Sequence, residues 1–250
     1  MRSPKNTATG LESPHVPVSA AAATTRPTPA RALGKRVVGA TAIASAASVV
    51  IDNAVVAWAG TPSYAAPIKE VLAFHADHPA AVAIAVGLEA LNVPLLLGFL
   101  SGLHGLVGRR GGTGADWSRL AVAAGATFLA VMALYAVLWE GVVLSAGELA
   151  EPSPVFELAW QMHALSWALS LPALGTTFIG AALAAHASGL TPAWQRLLGL
   201  VGGSLLLAAG VGNLAIAAGS ALIFVGLLGF AAWLVWLLAT GVRLVRSDVD

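Results

Sequence analysis

Hydrophobic and polar positions divide the chain into six long apolar runs separated by short polar breaks. The runs cover approximately residues 37–59, 79–107, 120–146, 155–185, 193–216 and 219–244. Each run reaches the ~20 residues that an α-helix needs to cross the hydrocarbon core of a bilayer. Because the runs are apolar all round, they differ from the amphipathic helices of soluble proteins. The pattern predicts an all-α, polytopic transmembrane helix bundle of about six spans over residues 35–246.

Three segments leave alternatives open. The break near residues 212–220 is only weakly polar, so a five-span bundle with an interrupted fifth helix is the alternative. The first run partly resembles a cleaved signal peptide, although the long polar tail before it and Asp52 within it argue against cleavage. Between the first two runs, Val71, Leu72 and Phe74 indicate a short helix that rests on the membrane surface.

The two ends of the chain are polar. Residues 1–34 are rich in Pro, Ser, Thr and Ala, which predicts a disordered cytoplasmic tail. Residues 247–250 form a short C-terminal tail, also predicted to be cytoplasmic. The transmembrane domain therefore lies between two tails on the same side of the membrane.

Composition and charge narrow the class of protein. The 250 residues are 58% hydrophobic and only 10% charged, whereas soluble domains carry about 25% charged residues. A lipid bilayer is therefore the predicted surrounding. The absence of cysteine excludes disulfides and thiolate metal sites, and a formal net charge of +1 indicates no nucleic-acid partner.

Basic residues predict the orientation of the bundle. With six spans and a cytoplasmic N-terminus, every Lys and Arg except Lys69 falls on the cytoplasmic side. The sequence thus predicts a multi-pass protein of the plasma membrane with both termini in the cytoplasm. Aromatic residues predicted at the outer interface are Trp58, Tyr64, Trp139 and Trp160.

Four ionisable residues interrupt the apolar runs at similar heights in the middle or outer part of the membrane. A charge at the bilayer centre costs about 2.5–3.5 kcal/mol on insertion scales, so such residues need a partner or a function. Asn92 and Ser166 lie three residues after two of them and share their helix faces. This arrangement predicts an outward-facing polar cavity for a small ligand or a proton relay; the four residues are Asp52, Glu89, Glu140 and His163.

Structural interpretations of the same residues remain open. Asp52 and Glu140 can be hydrated near the headgroups, and Glu89 can pair with His163 to fix helix packing. No spaced ligand motif supports a metal site. His104 and His186, near the inner ends of their spans, are the alternative as ligands of a b-type haem, but no cofactor is predicted.

Small residues indicate close helix packing. The motifs Gly98-x-x-x-Gly102 and Gly199-x-x-x-Gly203 bring helices together within one chain or between two copies. A homo-oligomer therefore remains open. Nucleotide-binding P-loops and serine-hydrolase elbows have no matching motif.

Three functional hypotheses follow. The first is binding or transport of a small molecule through the polar cavity. The second is an enzyme that acts on a lipid-soluble, isoprenoid-like substrate with an intramembrane carboxylic acid as general acid. This hypothesis predicts an apolar chamber that opens sideways to lipid. The third is a structural or accessory subunit. This hypothesis predicts tightly packed helices and paired acids.

The last third of the chain carries a resemblance. Leu190-Thr191-Pro192-Ala193-Trp194 precedes a Gly-rich span, followed by Trp233-Leu234-Val235-Trp236 and Gly241-Val242-Arg243-Leu244. This resembles the end of small actinobacterial six-helix integral membrane proteins of unknown function, over residues 36–246. The resemblance implies a bacterial membrane protein of this fold class and no activity.

Overall fold

The fold is built from helices alone in the part of the chain that can be described. In the computed structural model, which describes residues 29–246, no strand forms. The all-α prediction is confirmed. The helices are α1 (Pro29–Ala59), α2 (Ile68–Asp77), α3 (Pro79–Gly108), α4 (Gly114–Ala146), α5 (Pro154–Ala187), α6 (Ala193–Val211), α7 (Asn213–Ala217) and α8 (Ile223–Arg246).

Six of these helices, α1, α3, α4, α5, α6 and α8, are long and apolar enough to span a membrane. The chain is therefore a multi-pass membrane protein, as predicted. The fifth span is shorter than predicted, because the backbone leaves the helix at Gly212 and the separate short helix α7 follows. The predicted tails at residues 1–28 and 247–250 lie outside the described residues, and α1 begins at Pro29, within the last part of the predicted N-terminal tail.

The six long helices form a closed ring in chain order. Each packs against its two neighbours, and α1 closes the ring by packing on α8. In α5, 67% of the most apolar window is buried, against 28–39% in the other five. Helix α5 is therefore drawn into the middle of the bundle, and most of its faces meet protein.

Glycines set the closest approaches between helices. A methyl group at Gly203 of α6 would lie 2.8 Å from the carbonyl oxygen of Gly175 in α5, and one at Gly39 of α1 would lie 2.7 Å from that of Gly241 in α8. Both contacts are far shorter than van der Waals distance, so the backbones touch there. The predicted motif at Gly199 and Gly203 thus packs within one chain.

The two ends of the bundle differ in chemistry. One end, here called the arginine end, carries the positive residues that follow α3, begin α4 and α6, and end α8: Arg109, Arg110, Arg119, Arg196, Arg243 and Arg246. The other end, here called the α2 end, carries α2, α7 and the acidic loop after α4. The exposed Lys69–Glu151 ion pair, 2.8 Å long, joins α2 to that loop.

Helix α2 covers the bundle at the α2 end. Val71, Leu72 and Phe74 are buried among side chains of α3, α4 and α5. The sequence correctly indicated a short helix here, but its apolar side chains pack into the bundle rather than against lipid. The helix therefore covers the polar residues of the spans that lie toward the α2 end.

Candidate functional site: a cavity beside an acid pair

A cavity of about 450 Å³ lies inside the ring, between α1, α3, α4, α5 and α8. This volume falls within the 300–1,000 Å³ typical of small-molecule sites. Its lining includes the exposed residues Ala90 and Val137 from α3 and α4, and Asn53 and Leu227 from α1 and α8. The cavity therefore opens through the sides of the bundle at these two pairs of helices.

Two carboxyl groups meet on the cavity wall. Asp52 of α1 and Glu89 of α3 are in hydrogen-bonding contact through their side chains, and both line the cavity. Two carboxyl groups form a hydrogen bond only when at least one of them carries a proton. Asp52 is 4% exposed, and its Oδ1 receives no hydrogen bond from any N–H or hydroxyl group of the described residues.

The two helices that carry the acid pair hold no basic side chain close to it in sequence. Along the described helices, Lys and Arg residues occur only near helix ends or in the connections. Arg36, the basic residue on α1 closest in sequence to Asp52, lies 16 positions earlier, about 24 Å along the helix at ~1.5 Å per residue. The acid pair is therefore balanced by no Lys or Arg within the described part of the spans.

Asn92 adds an unpaired donor to the same wall. It is 6% exposed and lies one helical turn from Glu89, toward the arginine end. Its Oδ1 accepts a hydrogen bond from Ser45 Oγ of α1 at 3.4 Å, but its Nδ2 has no partner. A buried donor without a partner costs about 1–3 kcal/mol, so Asn92 is held at the cavity at a loss of stability.

The wall opposite is apolar. It consists of aliphatic and aromatic side chains from α4, α5 and α8, including Phe128, Leu171, Leu174, Phe230 and Trp233. The cavity therefore has two chemically distinct sides, with acids and an amide on α1 and α3 facing hydrocarbon and indole surfaces. Such a division suits a ligand that is itself polar at one end and apolar at the other.

Glu140 lies on the rim of the cavity. It is exposed, and it also lines a second, shallower groove between α3 and α4. Of the predicted candidates, Asp52, Glu89, Asn92 and Glu140 thus share one cavity, but only the first two form a direct pair.

His163 lies apart from the cavity lining. Its ring stacks between Tyr135, at 4.0 Å, and Trp160, at 5.2 Å, and its Nδ1 donates to the backbone carbonyl of Tyr135 at 3.1 Å. The suggested pairing of Glu89 with His163 is therefore wrong, because Glu89 contacts Asp52 instead. Ser166 is also absent from the lining, and its hydroxyl donates to the Met162 carbonyl.

An aromatic cluster surrounds His163 beneath α2. Its members are buried or half-buried and touch ring to ring: Tyr64, His75, Tyr135, Trp139, Trp160 and His163. Tyr135 also lines the cavity, so it joins the cluster to the site. The sequence predicts Trp139 and Trp160 at the membrane interface, whereas both are buried within the bundle; Trp58 is 94% exposed. The sequence contained a signal for this cluster. Tyr135 and Trp139 are four residues apart, and Trp160 and His163 are three apart, so each pair lies on one face of its helix.

Hydrogen bonds fix His75 and Tyr64 within this cluster. His75 Nδ1 donates to the Val71 carbonyl at 2.8 Å, and its Nε2 accepts from Trp139 Nε1 at 3.0 Å. Burial lowers the pKa of His75, which keeps the ring neutral. Tyr64 and Tyr135 are joined by a hydroxyl hydrogen bond, which offsets part of the rise that burial imposes on the pKa of Tyr64.

The two histidines considered as haem ligands lie at the arginine end and bond within the protein. His104 Nδ1 donates to Ser118 Oγ at 2.8 Å, because that hydroxyl is itself a donor to the Ala115 carbonyl. His186 Nδ1 donates to the Thr191 carbonyl at 3.1 Å. Among residues 29–246, no group of three or more His, Asp or Glu side chains could hold a metal ion.

Fold and site together define a multi-pass helical membrane protein whose ring of six spans encloses a cavity with an acid pair on its wall. No protein-family model, curated protein or solved structure matches the chain.

Proposed function

We propose that this membrane protein binds a small molecule in the cavity inside its helix ring, as a binding or transport protein. One observation carries the proposal: the buried side chains of Asp52 and Asn92, each with a polar atom that has no N–H, hydroxyl or carbonyl partner, stand beside the half-buried Glu89 on the wall of a cavity of about 450 Å³. Ionisable groups inside a membrane domain are costly and commonly mark ligand or ion sites.

The accessory-subunit hypothesis explains less of the arrangement. It expects paired acids in tight packing, and Asp52 and Glu89 are indeed paired. However, a pair that served packing alone would be enclosed by neighbouring side chains, as Gln195 and Thr240 are where they bond across α6 and α8 at 3.1 Å. The acid pair instead adjoins open space, which favours a ligand.

One feature favours an enzyme as the second candidate. A proton held between Asp52 and Glu89 would face an apolar wall, and the cavity opens through the sides of the bundle, where lipid-soluble substrates arrive. A carboxylic acid so placed could protonate an alkene as a general acid. This candidate predicts that lipid extracts of cells producing the wild type contain a product that is missing with Glu89→Gln, as measured by mass spectrometry.

Filling the cavity tests the proposed function. Ala136 of α4 lines the cavity, whereas Ala130 of the same helix is exposed and does not. We expect compounds from a library of amines, acids and neutral molecules to raise the melting temperature of the wild type and of Ala130→Phe, but not of Ala136→Phe. If no compound distinguishes the wild type from Ala136→Phe, the cavity is not a ligand site and the proposal is wrong.

A further inference from the structure

The geometry points to the chemical class of the ligand: an amphipathic organic monocation, whose ammonium group binds the Asp52–Glu89 pair while a hydrogen-bond acceptor meets Asn92 Nδ2. This inference rests on the proposed function and names its ligand class. It follows from three features of the cavity wall, which are its charge, its hydrogen-bonding groups and its apolar surface.

The charge of the site selects a cation. The Asp52–Glu89 contact needs at least one proton, and with one shared proton the pair carries a single negative charge. No Lys or Arg of the described spans lies near enough to neutralise that charge. An ammonium group with one positive charge would balance it, and charge-assisted hydrogen bonds are about twice as strong as neutral ones.

The hydrogen-bonding pattern adds a second polar group to the ligand. No N–H or hydroxyl group of the described residues donates to Asp52 Oδ1, and Asn92 Nδ2 lacks an acceptor among them. Glu89 and Asn92 are three residues apart on α3, about 4.5 Å along the helix axis at ~1.5 Å per residue. A ligand with an ammonium donor and an oxygen acceptor separated by a three-carbon spacer spans this distance and satisfies both sites.

The remaining wall selects an apolar body. Trp167, Phe230 and Trp233 line the cavity with Leu171 and Leu174, away from the acid pair. Aromatic and aliphatic surfaces favour a hydrophobic group, and the side openings give access to it from the hydrocarbon region. A fully hydrated inorganic cation would leave this wall without a partner, whereas an amine with an aryl group covers it.

Three matched probes test the inference at neutral pH, where a primary amine is protonated. Benzyloxypropylamine carries the ammonium, the ether acceptor and an aryl group. Benzyloxypropanol replaces the ammonium by a hydroxyl, and phenylpentylamine replaces the ether oxygen by a methylene. Binding is measured by calorimetry in mild detergent, and Ala136→Phe provides the blank for partitioning into micelles.

We expect benzyloxypropylamine to bind the wild type at least about tenfold more tightly than benzyloxypropanol, since tenfold corresponds to one charge-assisted hydrogen bond of about 1.4 kcal/mol. Asp52→Asn and Glu89→Gln each keep one carboxylate, and with it the single negative charge, so each should retain most of this preference. The double variant Asp52→Asn/Glu89→Gln carries no charge there and should remove the preference while leaving the affinity for the alcohol unchanged. Because the wild-type ratio is itself a test, the inference stays falsifiable even where a variant fails to fold.

Asn92 has a matched control in Asn53. Both line the cavity, but Asn53 Nδ2 already donates to the Val49 carbonyl at 2.9 Å. We therefore expect Asn92→Leu to abolish the preference for benzyloxypropylamine over phenylpentylamine, and Asn53→Leu to preserve it.

The outcomes separate the two proposals. If the alcohol binds as tightly as the amine, and Ala136→Phe blocks both, the cavity binds small molecules but the cationic class is wrong. If no probe binds the wild type more than Ala136→Phe, and the wider library also fails, both the class and the proposed function are wrong.

Discussion

Asp52 of α1 and Glu89 of α3 bring two carboxyl groups into hydrogen-bonding contact inside a membrane-spanning bundle. The α1–α3 interface holds them together: Ser45 Oγ donates to Asn92 Oδ1 and Ser48 Oγ donates to the Leu88 carbonyl along the same seam. The acids are thus positioned by neighbouring polar contacts, and their contact depends on a shared proton. Changing either acid to its amide isolates the part played by that proton.

We expect Asp52→Asn and Glu89→Gln to leave thermal stability unchanged or to raise it by about 1 kcal/mol. An amide N–H can donate to the remaining carboxyl group without a shared proton, and one fewer ionisable group lies in the membrane. Melting temperatures in mild detergent measure this. Glu140→Gln, on the exposed rim, is the control and should change stability by less than about 0.5 kcal/mol. A large loss of stability in both amide variants would instead identify the acids as essential packing elements.

Much of the fold follows from the sequence, because the bilayer imposes a length and a hydropathy on each span. The six apolar runs therefore match the six long helices of the described chain, and the position of Asp52 and Glu89 along their helices could be counted from the helical rise. The position of a residue along its span was thus predictable without knowing which helices are neighbours.

The pairing of the polar residues was not predictable in the same way. Which acid meets which partner depends on the rotation of each helix about its axis, and α3 and α5 have almost no net amphipathic face to set that rotation. Glu89 contacts Asp52 of α1, whereas His163 donates a hydrogen bond to the backbone carbonyl of Tyr135. The buried position of α2 was hidden for a similar reason, since Val71 and Phe74 suit a lipid surface and a protein interior equally well.

Trp139 and Trp160 provide a matched test of a single buried hydrogen bond. They are 4% and 5% exposed, but only the Trp139 indole N–H has a partner, His75 Nε2. We expect Trp139→Phe to destabilise the protein by about 1–2 kcal/mol more than Trp160→Phe, because it leaves His75 Nε2 without a donor. Both changes remove similar ring area, so the difference in melting temperature reports the hydrogen bond. Equal losses would show that ring packing alone determines the stability of the cluster.

Gly203 tests the close approach of α5 and α6. A methyl group there would lie 2.8 Å from the Gly175 carbonyl oxygen and 2.5 Å from Ile179 Cγ1, so the helices must separate to accept it. We expect Gly203→Ala to lower the free energy of unfolding by about 1–3 kcal/mol, because the added methyl group overpacks the interface. Gly141 of α4 has no atom within 4 Å of such a methyl group, so Gly141→Ala should be neutral or stabilise the helix by up to about 1 kcal/mol. Thermal unfolding of the two variants compares them; equal tolerance of both changes would contradict a backbone contact at Gly203.

His75 predicts how stability depends on pH. Burial lowers its pKa in the folded protein, so as pH falls below about 6.5 the unfolded chain takes up a proton before the folded chain does. Stability is therefore complete above about pH 6.5 and is lost as pH falls toward the folded pKa, with a slope of up to about 1.4 kcal/mol per pH unit. Protonation would also break the bond from Trp139 Nε1 to His75 Nε2.

The effect is measured as the melting temperature from about pH 7.5 down to about pH 5, for the wild type and His75→Gln. His75→Gln should flatten this dependence, whereas His78→Gln, an exposed neighbour at the end of α2, should retain the wild-type slope. His163 is present in all three proteins, so its contribution cancels in the comparison. If His75→Gln keeps the full slope, then protonation of another group destabilises the bundle in acid, and the neutral His75 ring only supports the packing of α2 on the aromatic cluster.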